Sequence, residues 1–77
     1  MYVNFLAEFR GVERKTSEKT QKSYLVFHME DEQGKAFYIM SRKEELMNGL
    51  KKGDMLECKA LLNISKFTVF ELISVKK

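Results

Sequence analysis

Proline is absent, cysteine and histidine occur once each, and the four glycines stand apart from one another. With no proline-rich or glycine-rich stretch there is no linker, repeat or low-complexity tract, so residues 1–77 read as one domain. A lone thiol cannot staple the fold and suits a reducing interior, so the expected location is cytoplasmic. Cys58 and His28 together fall short of any usual ligand set, so neither a metal nor another cofactor is expected. No glycine-rich phosphate loop is present, and no serine or cysteine is spaced with His28 as a catalytic triad would need; an enzyme is not expected. No run approaches the roughly 18 apolar residues of a membrane helix. The opening MYVNFLAEFRG lacks the charged start and small-residue cleavage site of a signal peptide.

What the chain does have is a core's worth of apolar side chains, 44% of the residues, with 12% aromatic. That is too much for a disordered chain and enough for one compact core, although a domain this small buries only about 60% of its extended surface. The net charge of +3 is modest, but its distribution is uneven. Residues 10–24 carry Arg10, Arg14, Lys15, Lys19 and Lys22 against Glu13 and Glu18. Residues 30–32 form a compact acidic run, and Lys76 and Lys77 close the chain. A basic footprint can therefore sit on a nearly balanced protein.

Alternation of period two dominates. In residues 2–12, Val3, Phe5, Ala7 and Phe9 share one side, and Gly11 interrupts as a glycine does at a bend or bulge. SYLVFHME (23–30) sets Leu25, Phe27 and Met29 opposite Tyr24, Val26 and His28. EDEQGK predicts a hairpin turn with Gly34 at positive φ, and AFYIM a third strand with Tyr38 and Met40 on one face. The period then changes: SRKE at 41–44 predicts a capping box joining Ser41 and Glu44. A short helix follows, with Leu46, Met47 and Leu50 on one side, ending at the KKGD turn. Residues 55–62 alternate again, with Leu56, Cys58, Ala60 and Leu62 inward; NISK is a tight connection and FTVFELISV a fifth strand.

The order β-β-β-α-β-β in so short a chain leaves exposed sheet edges unless the sheet curls closed. A first strand broken at Gly11 can pair in both halves of a barrel, and one helix between strands three and four can plug its end. The expected fold is all-β: a small five-stranded antiparallel barrel of the oligonucleotide/oligosaccharide-binding (OB) type. A split β-sandwich or a swapped dimer is compatible with the same order.

On these features the chain resembles the small OB-fold single-stranded DNA-binding proteins, in particular those of filamentous phages (gene V type). The resemblance spans nearly the whole chain and rests on QKSYL, a polar hairpin with glycine, GLKKGDMLECKALLNI and the closing FELISVKK. It implies cooperative, sequence-tolerant coating of single strands by a homodimer in phage or plasmid DNA replication. It implies phosphate contacts for Lys22 and, as members of the same loop, Arg14, Lys15 and Lys19, with Tyr24 stacking on a base. The NISK turn is much shorter than the hairpin that family uses for dimer contacts.

Read from the residues alone, single strands need a basic groove along the backbone and aromatic faces beneath the bases. The candidates for phosphate are Arg10, Arg14, Lys15, Lys19, Lys22 and Lys66, and those for bases are Tyr24, His28, Tyr38 and Phe67. Each has a plainer role: tyrosine covers strand surface well, Phe67 suits a barrel-end plug, and lysine-rich loops are often only solvated. Phe5, Phe9, Phe27, Phe37 and Phe70 fit the core. RNA would satisfy the same contacts as DNA. A protein-interaction module presenting Tyr2, Met55 and Leu61 is the alternative without nucleic acid.

Overall fold

The computed structural model describes residues 1–66 and 68–77, so the expectations for Phe67 lie outside the described residues. Five strands, β1 (Tyr2–Thr16), β2 (Ser23–Glu30), β3 (Ala36–Ser41), β4 (Met55–Ile64) and β5 (Thr68–Lys76), close into a barrel in the order β1-β2-β3-β5-β4. This is the OB-type barrel that the strand order predicted. All neighbours are antiparallel except β3 and β5, whose parallel contact at Met40–Glu71 closes the barrel.

The long first strand serves both halves. Tyr2 to Glu8 pair with β4, Glu8 to Thr16 pair with β2, and the register shifts between Phe9 and Gly11, leaving Arg10 as the bulged residue. The bulge reverses the alternation. Before it, Phe5, Ala7 and Phe9 point inward; after it, Val12 and Arg14 oppose inward-facing Phe27 and Leu25, while Glu13 and Lys15 oppose Val26 and Tyr24 on the outer face. Regular alternation carried through Arg10 from Phe9 would instead direct Lys15 into the core.

Leu25, Phe27 and Met29 of β2, Leu56, Cys58 and Ala60 of β4, with Ile39 and Leu72, fill the interior beside Ala7 and Phe9. Phe9 and Phe27 meet edge to face at 6.2 Å, and Phe5 does the same with Phe37 at 5.9 Å. Burying side chains of this size stabilises by roughly 1.5–3 kcal/mol each. Cys58 is a small core hydrophobe, and burial pushes its thiol up to about 11.

The expected helix is a single 3-10 turn, Glu44–Met47, and the capping box does not form. Ser41 is wholly buried and otherwise engaged: its hydroxyl donates to the Leu72 carbonyl (2.7 Å) and accepts from the Lys43 amide (3.1 Å). That bond helps fasten the sparsely paired β3–β5 seam, so the hydroxyl is unavailable to Glu44. Asn48 leaves with extended backbone and Gly49 takes positive φ (76°), so the turn cannot propagate. Leu46, Met47 and Leu50 nonetheless pack against the core from this segment, as the plug requires.

The turns behave as their sequences demand. Asp31 accepts from the Gln33 and Lys35 amides, both at 2.9 Å, and Gly34 takes φ 81°. In the KKGD turn the Lys51 amide donates to the Asp54 carboxylate at 2.8 Å and Lys77 pairs with it at 3.1 Å. These contacts hold the Asp54 carboxyl below its ordinary range.

Candidate functional site

Bulge, hairpin and closure together build one groove on the outer face of β2 and β3. Tyr24, Val26 and His28 alternate outward along β2, and Tyr38 and Met40 along β3, with His28 opposite Tyr38 and Val26 opposite Met40. Lys15, opposite Tyr24, walls one side, and Phe70 of β5 contributes from the other. These seven residues line a space of about 540 Å³. The His28 and Tyr38 rings are tilted at 48° with centroids 6.3 Å apart, and Tyr38 is 74% exposed. The floor is thus aromatic and apolar, with one amine at its rim.

His28 adds a polar edge. Its Nε2 is shielded from solvent, accepts or donates no hydrogen bond, and lies 3.4 Å from the Glu13 carboxylate. Glu13 reaches it from the adjacent strand because the bulge sets both on the outer face.

The cationic candidates divide into two sets. Arg10 is held by Glu8 at 2.6 Å with Glu30 at 3.9 Å, and Arg14 by Glu44 at 3.2 Å. Neither arginine lines the groove: Arg10 is the bulged residue, and Arg14 borders a separate cleft beside Val12, Leu25 and Met47. By contrast, among the described residues Lys15, Lys19, Lys22 and Lys66 enter no ion pair. Lys19 and Lys22 sit in the exposed turn beyond the Thr16–Ser23 rung, at the Lys15–Tyr24 end of the groove. Lys66 lies in the short connection leading to β5 and Phe70. Arg14 and Lys15 belong to β1 rather than to a loop, and Tyr24 is partnered across strands by Lys15 rather than by Lys22.

Sequence reasoning set Val26 and Met40 on the faces of Tyr24 and Tyr38, but did not count them as groove residues; period-two alternation was sufficient signal. Phe70, expected in the core, both packs on Phe5 (centroids 6.3 Å apart) and lines the groove. A second depression of about 620 Å³ is bounded by Phe5, Leu6, Glu32, Glu57, Lys59 and Lys76, among others. Its two carboxylates offset its lysines, and Phe5 is the single aromatic residue in its lining. Among the described residues no cluster of three His, Cys, Asp or Glu side chains stands ready for a metal ion.

No protein-family profile and no curated protein matches the sequence. In three dimensions the chain is similar to the mitochondrial single-stranded DNA-binding protein of S. cerevisiae. The TM-score is 0.65 over 99% of this chain and 92% of that one, at 16% sequence identity. At that identity the likeness establishes the OB-type fold. It is a likeness to a mitochondrial protein and does not single out the filamentous-phage type.

Proposed function

We propose that the chain is a single-stranded DNA-binding protein that coats strands without sequence preference and performs no chemistry. The observation that carries the reading is the gathering of Tyr24, His28, Tyr38 and Phe70 in one groove with Lys15, which enters no ion pair among the described residues, at its rim. In OB barrels the face of strands two and three and the flanking loops form the oligonucleotide site, and the groove occupies that face. The fold shared with a single-stranded DNA-binding protein supports the same reading. Bases stack on the exposed Tyr38 ring and on Tyr24, while Lys15, Lys19, Lys22 and Lys66 meet phosphates. A cytoplasmic setting is proposed from the single cysteine, and a role in phage or plasmid replication from the sequence resemblance. The proposed homodimer is supported by Tyr2, Leu6 and Met55, exposed apolar residues on the outer side of β1 and β4.

The test is a titration with a dT oligomer, the matching duplex and an RNA oligomer at two salt concentrations, followed by tyrosine fluorescence. Tight, quenching binding to dT with weak duplex binding is expected. Four lysines at about −0.7 each give a log–log salt slope of about −3. Absence of binding to any single strand at low salt would sink the reading. RNA bound more tightly than DNA would reassign the ligand.

A further inference from the structure

Arg42 follows Ser41, which pairs with Leu25, so it leaves β3 beside the Tyr24 end of the groove. It lies in the bend just past β3, where its side chain is bonded to Glu71, the rung partner of Met40. Glu71 lies next to it on β5, where it pairs with Met40 and Leu61 and is only 5% exposed. Its carboxylate accepts three hydrogen bonds from Arg42: backbone amide 3.1 Å, Nε 3.3 Å and Nη2 2.9 Å. The Arg42 side chain is nevertheless 72% exposed, and Nη1 has no partner among the described residues. A free surface arginine samples many rotamers; this one is fixed in plane by a buried, bidentate carboxylate.

The pairing also decides what Arg42 can offer. Guanidinium and carboxylate form a locally neutral unit, so attraction for phosphate at a distance is largely cancelled. What remains outward is a flat, delocalised surface of the kind that stacks on aromatic rings and bases. We propose that Arg42 is a base-stacking contact extending the aromatic floor past Tyr24, with Glu71 as the residue that positions it. This rests on the reading of the groove as a single-strand site and adds a contact to it.

The test compares wild type with Arg42→Lys and with the paired change Arg42→Ala/Glu71→Gln. Arg42→Lys keeps the charge pair and removes the plane; the paired change removes both charges together and strands neither. Binding to a dT oligomer is followed by tyrosine quenching at two salt concentrations, below the melting temperature of every variant. Both are expected to weaken binding about 3- to 30-fold, with salt slopes parallel to wild type. Wild-type affinity in both variants would overturn the inference while leaving the groove reading intact. A loss confined to the paired change, with a shallower slope, would make Arg42 a charge contact and overturn the stacking role. Failure of wild type itself to bind would overturn both.

Discussion

Tyr38→Ala separates the groove from the fold most cleanly. The ring is 74% exposed and meets the rest of the protein chiefly through its tilted contact with His28 at 6.3 Å. Truncating so exposed a side chain affects stability by about 1 kcal/mol or less, mainly through strand preference. In a domain of this size that moves Tm by about 8 °C at most. If a base stacks on the ring, the same change removes about 1–3 kcal/mol of binding. At 1.4 kcal/mol per decade, Kd rises about 5- to 150-fold. Tyr38→Phe keeps the stacking face and should stay within about threefold of wild type. The assay is anisotropy of a labelled dT oligomer at fixed salt, with a circular-dichroism melt of each variant. Kd within twofold of wild type for Tyr38→Ala, with Tm unchanged, would show that bases do not use this face.

Lys15→Ala should make the salt slope about 0.7 shallower, whereas Arg10→Ala, already bonded to Glu8, should leave it unchanged; titrations across several salt concentrations distinguish them. Ser41→Ala strands the Leu72 carbonyl and the Lys43 amide at the barrel seam. A loss of about 1–3 kcal/mol is expected in urea unfolding, with no change in the denaturant slope. The Glu71 carboxyl is held below its ordinary range, first by the Arg42 side chain's hydrogen bonds. Its contribution is therefore complete above the unfolded value of about 4.3 and is lost as pH falls through the lowered folded value. Wild type should weaken on acidification below about pH 4 more steeply than Glu71→Gln, as read from urea midpoints against pH. Cys58, buried with its thiol pushed up to about 11, should react with a thiol reagent at neutral pH only when the barrel opens, so denaturant should abolish the lag.

Much of the barrel is legible in residue order. Leu25, Phe27 and Met29 alternate with Tyr24, Val26 and His28, and the pleat sends the two sets to opposite faces whatever surrounds them. Gly34, and Gly53 before β4, take positive φ because the turns there require it (81° and 99°), a local property. The segment 41–50 misled because SRKE has the composition of a cap, yet Ser41 is spent on Leu72, 31 residues away. Local propensity favoured a helix; the need to fasten β3 to β5 took its capping hydroxyl.

The candidate site was readable in kind but not in membership. Basic residues followed by a tyrosine-bearing strand marked the region, and Tyr24 and Tyr38 share a face through simple alternation. Arg14 and Lys15 are neighbours that look interchangeable in the chain, but one extra residue at Arg10 turns Lys15 to the groove and Arg14 to Glu44. Likewise, no local pattern pairs Arg42 with Glu71, 29 residues away. Strand identity, facing and turn chemistry follow from period and steric preference, which act over a few residues, and so are already present in the linear chain. Which cations stay free, which ring lines the groove and which carboxylate is buried depend on barrel closure and a one-residue shift in register. Those bring distant side chains within a few ångströms, and only the folded barrel does so.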